Sequence, residues 1–130
     1  MDADPVDVVR SVYEAFAAAD ADRIADRLHT DVELIDPDLP GGGTFSGIDG
    51  VFEFLRLWGE GFSELHIDVE ELIPMDDRVV AVVHQYGVAE ASGAAVEMRD
   101  AHLWTVEDGL VKRIQLFLSR DAALAAAQRS

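Results

Sequence analysis

The sequence predicts an α+β fold in which helices pack on one face of a curved, largely antiparallel sheet. Two observations predict it. Apolar residues recur at three- and four-residue spacing in the first half of the chain, as they do along amphipathic helices. From residue 66 onward, alternating apolar segments separated by turn signals indicate four strands in a meander. Helices followed by a run of strands are typical of this layered class.

Two helices are predicted before the first strand. Pro5 is tolerated as the first helical residue after Asp4 as a cap, and the apolar stripe then continues to about Ala19. Asp20 can cap a second, shorter helix that runs through Leu28. Both helices therefore have a start signal of their own.

The middle of the chain is predicted to hold a short strand, a loop and a third helix. Val32 to Ile35 forms the strand, which ends at Asp36-Pro37, and residues 40–43 (Pro-Gly-Gly-Gly) form a flexible loop. Ser46 or Asp49 opens the third helix, whose apolar stripe is Ile48, Phe52, Leu55 and Trp58. After the strands, an alanine-rich segment from Ala122 to Gln128 predicts a short C-terminal helix.

The four later strands are predicted to end in a hairpin that carries chemistry on one face. Strands over 66–73 and 78–89 come first, and Asp108-Gly109 then turns the hairpin between residues 96–107 and 110–118. Alternate residues of the first hairpin strand share one face: Val96, Met98, Asp100, His102, Trp104 and Val106. Buried polar groups are costly unless paired, so a carboxyl and an imidazole on this apolar face predict a pocket for a small molecule.

Composition indicates one globular domain over residues 1–130 with a single core. Hydrophobic residues make up 49% of the chain, which is too much for a disordered protein. Cysteine is absent, which excludes disulfides, thiolate chemistry and cysteine-bound zinc. No apolar run approaches the ~20 residues that span a bilayer, and the N-terminus lacks the features of a secretory signal. A cytoplasmic location is therefore expected.

The net charge of −16 arises from 26 acidic and 10 basic residues. Such a chain repels phosphate groups, which argues against nucleic acid and anionic membranes as partners. The acidic residues recur along the whole chain, as a solvated coat would. Two explanations stay open: a halophilic host whose salty cytoplasm screens the repulsion, or an ordinary acidic protein from a GC-rich genome.

Three stretches follow one another in a characteristic order: residues 13–28 (beginning Tyr13-Glu14-Ala15-Phe16), residues 32–37 (Val-Glu-Leu-Ile-Asp-Pro) and residues 101–109 (Ala-His-Leu-Trp-Thr-Val-Glu-Asp-Gly). This order resembles the nuclear transport factor 2-like superfamily, which includes ketosteroid isomerases, SnoaL-like polyketide cyclases, scytalone dehydratase and limonene epoxide hydrolase. The resemblance covers nearly the whole chain. It implies a cone-shaped fold with three N-terminal helices on the concave face of the sheet. The superfamily also has many non-enzymatic members.

The resemblance implies roles for residues at matching positions. The isomerase aspartate that shuttles a proton matches Asp36; alternatively, Asp36 only starts the turn with Pro37. A late-strand aspartate of the isomerases and cyclases falls at about His102, whose imidazole can donate to an oxyanion or act as acid or base. The isomerase tyrosine falls at Val12, next to Tyr13. Because the isomerase set is incomplete, steroid isomerisation is not predicted.

Strand register decides whether further groups join this site. If the loop around Ser92-Gly93 has an odd number of residues, His84 faces His102 and Tyr86 faces Asp100, so that all four line the cavity. An even loop places His84 on the other face. The alternative for each histidine is a core imidazole bonded to a backbone carbonyl or a carboxylate.

No metal or other cofactor is expected. His84, His102 and Asp100 could form a facial ligand set, but no spacing such as His-x-x-x-His supports it. Arg99 and Asp100 are sequence neighbours that point to opposite faces, which breaks the Asp-Arg-Asp relay of the epoxide hydrolase. The histidine pair of scytalone dehydratase could be imitated by His84 and His102, although its supporting acid and tyrosines have no clear counterparts.

The leading hypothesis is a small-molecule isomerase, cyclase or lyase of SnoaL-like type that uses cofactor-free acid–base chemistry. Asp36 would act as base, His102 would polarise a carbonyl or enolate, and Asp100 or His84 would orient His102. An apolar or cyclic carbonyl-containing ligand would contact the predicted lining residues, which are Tyr13, Phe16, Trp58, Tyr86 and Trp104.

The alternative is a non-catalytic ligand-binding or dimerisation module of the same fold. A homodimer is expected through the outer face of the sheet, which carries Arg113, Gln115 and Phe117. An exposed Phe117 would favour burial against a partner.

Overall fold

The computed structural model describes residues 4–38 and 43–129. Its helices are α1 (Pro5–Ala17), α2 (Ala21–Asp26), α3 (Gly47–Glu60) and α4 (Arg120–Arg129). Its strands are β1 (Leu28–Ile35), β2 (Thr44–Ser46), β3 (Phe62–Met75), β4 (Arg78–Ala89), β5 (Ala95–Glu107) and β6 (Leu110–Phe117). The predicted α+β class is confirmed, with three helices before the long strands and a short helix after them.

The strands form one curved sheet in the order β2-β1-β6-β5-β4-β3. Neighbouring strands are antiparallel except β1 and β6, which pair in parallel. Strand β6 lies between β1 and β5. The sheet therefore brings the Asp36 end of β1 toward the residues of the predicted hairpin.

The first two helices begin at their predicted caps. The Asp4 carboxylate accepts the Val6 N–H at 2.8 Å, and the Asp20 carboxylate accepts the Arg23 N–H at 3.2 Å. The prediction that α2 runs through Leu28 is wrong. Leu28 is instead the first residue of β1, where pairing of this segment with β6 replaces the helix.

The segment after β1 differs from the prediction in one element. The short strand β2, which pairs with the end of β1, was not predicted. The predicted flexible loop falls largely on residues 40–42, outside the described residues. Its last residue, Gly43, accepts the Asp36 N–H at 2.7 Å, which joins the two chain segments. Helix α3 then begins at Gly47, after Ser46 as its N-cap residue.

The core has two parts, one on each face of the sheet. On the concave face, α1, α2 and α3 contribute buried apolar side chains that pack against the strands. On the outer face, Ala123 and Ala127 of α4 pack against Val80, Ala101 and Leu103. Phe117 is half-buried against this second cluster, so the expectation of an exposed Phe117 is wrong. Within the described part of the chain, no helix is long and apolar enough to span a membrane.

The hairpin turns as predicted. Asp108 and Gly109 both have positive φ, 55° and 78°, as the two central residues of a type I′ turn require. Antiparallel pairing then sets Leu116 opposite His102 and Ile114 opposite Trp104. The two strands therefore present one continuous face to the helices.

Candidate functional site

A cavity of about 500 Å³ lies between the helices and the concave face of the sheet. Its walls are mostly apolar, with side chains such as Phe16, Phe54, Ile67 and Leu116. This volume lies within the range of about 300–1,000 Å³ in which proteins bind small organic ligands. The polar lining residues include Tyr13, Asp36, Gln85, Asp100 and His102.

Helix α1 and strand β5 meet in the first part of a polar network. The indole N–H of Trp104 donates to the Tyr13 hydroxyl oxygen at 2.9 Å, and the same oxygen lies 2.6 Å from Nδ1 of His102. The Tyr13 and His102 rings are nearly parallel, with centroids 6.0 Å apart. Side chains of β5 two residues apart, Trp104 and His102, therefore hold one tyrosine hydroxyl between them.

Strand β4 and helix α3 supply the second part. Nε2 of His102 lies 3.2 Å from a carboxylate oxygen of Asp100. The amide nitrogen of Gln85 donates to both oxygens of that carboxylate, at 2.9 and 3.0 Å. The indole N–H of Trp58 donates to the amide oxygen of Gln85 at 3.0 Å. The two parts meet at Asp100.

The two tryptophans orient the two ends of this network. An indole N–H can only donate, so Gln85 turns its amide oxygen to Trp58 and its amide nitrogen to Asp100. At the other end, the Tyr13 oxygen accepts from Trp104, and the unprotonated Nδ1 of a neutral His102 is the acceptor within reach of its own proton. The proton of the neutral imidazole then lies on Nε2 and points to Asp100.

Burial supports this direction. Desolvation raises the pKa of the Tyr13 phenol far above its ordinary value; the hydrogen bond from Trp104 lowers it, and the charge of Asp100 raises it further. Tyr13 therefore keeps its proton across the physiological range and remains a donor to His102. Because both ring nitrogens of His102 have partners within the protein, its role differs from the sequence expectation of a free donor to a ligand.

Asp36 lines the same cavity from the end of β1. Its backbone N–H donates to Gly43, and one of its carboxylate oxygens accepts the Asp38 N–H at 3.2 Å. This local contact belongs to the turn with Pro37 that was predicted as the alternative to a catalytic role for Asp36. The half-buried side chain makes the turn and also faces the cavity, so the two interpretations are compatible.

His84 and Tyr86 do not line the cavity, and the odd-loop register that placed them there is wrong. Val88 pairs with Ala95, which leaves residues 89–94, an even number, in the loop. His84 consequently faces Arg99, and Tyr86 faces Glu97, on the outer face of the sheet. There Nε2 of His84 lies 3.2 Å from a Glu97 oxygen without forming a hydrogen bond, and the Tyr86 hydroxyl contacts Asp68.

A family model for the SnoaL-like domain matches residues 9–114. The chain belongs to the SnoaL-like domain family. Three of the described features agree with this membership: the α+β order, the curved open sheet and the cavity under the helices. No curated protein sequence matches this SnoaL-like domain.

Solved structures show the same fold. TerC, crystallised with polyporic acid, is 25% identical over 96% of this SnoaL-like domain and 99% of that chain, with a TM-score of 0.78. A Jannaschia sp. CCS1 protein provisionally assigned as a SnoaL-like polyketide cyclase is 22% identical, over 97% and 92% of the two chains, with a TM-score of 0.78. An NTF2-like protein of Burkholderia thailandensis is 23% identical, over 97% and 98%, with a TM-score of 0.79.

Sequence reasoning missed one member of the network, Gln85. This residue is only 3% exposed and connects Trp58 to Asp100. The sequence does contain a pattern that predicts its burial. Val79, Ala81 and Val83 alternate on the buried face of β4, and position 85 is the next residue on that face. The other predicted lining residues, Tyr13, Phe16, Trp58 and Trp104, all contact the cavity.

The described residues of the SnoaL-like domain contain no group of three or more histidine, aspartate or glutamate side chains placed to hold a metal ion. Asp36, Asp100 and His102 all line the cavity, but they are engaged with Asp38, Gln85 and Tyr13 respectively. What the cavity offers chemically is therefore two half-buried carboxylates, Asp36 and Asp100, with the exposed Asp38 beside them, an imidazole and a phenol in mostly apolar surroundings.

Proposed function

We propose that this SnoaL-like domain is a cofactor-free acid–base enzyme, an isomerase, cyclase or lyase that acts on a small apolar or cyclic carbonyl compound. The observation that carries the proposal is the presence of two carboxylates, Asp36 and Asp100, in one mostly apolar cavity. A carboxylate in such surroundings can take a proton from the carbon next to a carbonyl group. Asp36, at the end of β1, is the proposed base.

Asp100 and His102 are proposed as the second acid–base group. Asp100 can accept a proton from the ligand or, once protonated, return one to it. His102 positions Asp100 through its Nε2–H, and the Tyr13 hydroxyl in turn holds the His102 ring at Nδ1. In this role His102 acts through Asp100, because both of its ring nitrogens are already bonded within the protein.

The test is hydrogen exchange at carbon. A panel of cyclic ketones and enones, together with the compound bound by the neighbour TerC, polyporic acid, is incubated with the protein in D₂O. Binding is followed by tryptophan fluorescence, because both tryptophans of the chain line the cavity. For ligands that bind and have a proton next to a carbonyl, we expect deuterium incorporation measured by proton NMR.

The variants Asp36→Asn and Asp100→Asn are each expected to slow this exchange by roughly 100-fold or more. Asp31→Asn, which removes a similar carboxylate from an exposed position of β1, should leave the rate unchanged. Exchange at the buffer rate for every bound ligand would contradict the enzyme proposal.

That outcome would favour a second candidate, a ligand-binding module without catalysis. One observation supports this candidate: the single protons of Trp58, Trp104, Tyr13 and the His102 ring all have acceptors inside the protein. A network with its donors satisfied in the absence of ligand stabilises the shape of a binding cavity. Binding by fluorescence with no exchange in D₂O distinguishes this function from the first.

A further inference from the structure

We infer that the ligand of this cavity presents a hydrogen-bond donor to Asp100, and that a protonated amine on an apolar body binds better than the carboxylate of the same shape. The inference rests on the proposal that the cavity is the ligand site. It goes beyond that proposal by assigning the polar group of the ligand. It does not require that the protein be an enzyme.

Four of the protein's own donors in the cavity are engaged. The indole N–H groups of Trp58 and Trp104 donate to Gln85 and Tyr13. The Tyr13 hydroxyl donates to His102, and the Nε2–H of His102 donates to Asp100. Each of these four groups has a single proton to give when the imidazole is neutral. A ligand that offers only acceptors must therefore break one of these four bonds or use the second N–H of the Gln85 amide, whose contacts with Asp100 engage one of its two hydrogens.

Asp100, in contrast, has accepting capacity left. A carboxylate has about four lone-pair sites, and the structure shows three contacts, two from Gln85 and one from His102. The oxygen Oδ1 accepts only from Gln85, whereas Oδ2 accepts from both neighbours. The Asp100 side chain is 17% exposed and lines the cavity. Oδ1 is therefore the position at which a ligand N–H or O–H can bind.

The charges around the cavity point the same way. Asp36, Asp38 and Asp100 line it, and the one arginine or lysine among the described lining residues is Arg99. The Arg99 guanidinium bonds to Glu70 at 3.1 Å and to Glu97 at 3.4 Å on the outer face of the sheet. A ligand carboxylate would add another anion to a mostly apolar space that three aspartates already line, whereas an ammonium group would pair with Asp100.

The experiment compares three probes of one shape: para-tert-butylbenzylamine, para-tert-butylbenzyl alcohol and para-tert-butylbenzoate. Dissociation constants are measured at neutral pH by tryptophan fluorescence and by calorimetry. We expect the amine to bind at least about tenfold more tightly than the benzoate, with the alcohol between them. The comparison on the unaltered chain requires no variant to fold.

Asp100→Asn is expected to reduce the preference for the amine to about threefold or less, since the amide removes the charge and keeps the shape. Asp31→Asn is the matched control and should keep the full preference, because Asp31 is exposed on β1 outside the cavity. Circular dichroism checks that both variants are folded.

Equal binding of amine and benzoate by the unaltered chain would overturn the inference. So would binding of none of the three probes at millimolar concentration, or an amine preference that survives in Asp100→Asn. The outcome is independent of the enzyme proposal, which fails only if bound ketones show no deuterium exchange. A preference for the amine without exchange would therefore leave this inference intact.

Discussion

Tyr13→Phe is expected to lower the free energy of unfolding by about 2–5 kcal/mol, because one hydroxyl satisfies two buried groups. Removing it leaves the Trp104 N–H and Nδ1 of His102 without their partner, and both residues are less than a tenth exposed. Each unsatisfied buried polar group costs roughly 1–3 kcal/mol. Urea unfolding followed by circular dichroism measures the loss.

The second tyrosine of the chain provides a matched control. Tyr86 lies on the outer face of the sheet, where its hydroxyl contacts Asp68 near solvent. Water can replace that contact in Tyr86→Phe, so the expected loss is below about 1 kcal/mol. Equal losses in the two variants would show that the Tyr13 hydroxyl does not connect Trp104 to His102.

Tyr13→Phe also has a signature at alkaline pH. Burial raises the pKa of Tyr13 above its ordinary value of 10.0, so the folded protein keeps this proton when the unfolded chain releases it. The stabilisation from Tyr13 is complete below pH 10 and is lost as the pH rises toward the folded-state pKa. Above pH 10, the free energy of unfolding of the unaltered chain should therefore fall more steeply with pH than that of Tyr13→Phe. The difference in slope should be up to about 1.4 kcal/mol per pH unit.

Gly87→Ala is expected to destabilise the protein by about 3 kcal/mol or more. A Cβ atom at position 87 would lie 2.0 Å from the backbone oxygen of Glu64 and 2.9 Å from its carbonyl carbon. The pairing of β3 with β4 is irregular at this point, which brings the two backbones close together. Overpacking costs about 1–3 kcal/mol where side chains can move; here backbone must move, so the upper end applies.

Gly59→Ala is the control for adding a methyl group. Position 59 lies in α3, and a Cβ there would meet no atom within 4 Å. Alanine is also the better helix former, by about 1 kcal/mol, so this variant should be as stable as the unaltered chain or slightly more so. Thermal and urea unfolding of both variants test the contrast. A Gly87→Ala protein with unchanged stability would contradict the close approach of β3 and β4.

Local patterns predicted the hairpin and its functional face. Asp108-Gly109 specifies a tight turn, and alternation along β5 places Asp100, His102 and Trp104 on one side without reference to any distant residue. The caps at Asp4 and Asp20 were predictable for the same reason, since each contact spans only two or three residues. Sequence reasoning was reliable where the deciding interaction is local.

The register between β4 and β5 could not be predicted in this way. Ser92-Gly93 marks a turn, but which residues pair around it depends on contacts along the whole ladder. A shift of one residue exchanges the two faces, and this shift decided that Gln85, not His84, faces the cavity. The contact of Tyr13 with His102 was equally inaccessible, because 89 residues separate the two in sequence.

Strand β2 and the end of α2 were not predicted correctly, for another reason. Strand β2 has only three residues, too few for a periodic pattern. The end of α2 was misplaced because Leu28 continues the apolar spacing of the helix but pairs with Val111 of β6 instead. In both cases the pairing of strands, which forms between distant segments, determines the structure.

The direction of the network, from both tryptophans toward Asp100, is most directly tested by nitrogen-15 NMR of the histidine rings. The His102 resonances are assigned among the four histidines by their change in Tyr13→Phe. At neutral pH we expect a proton on Nε2 of His102 and an unprotonated Nδ1 that accepts a hydrogen bond from Tyr13. A proton on Nδ1, or two tautomers in exchange, would contradict the network and the roles proposed from it.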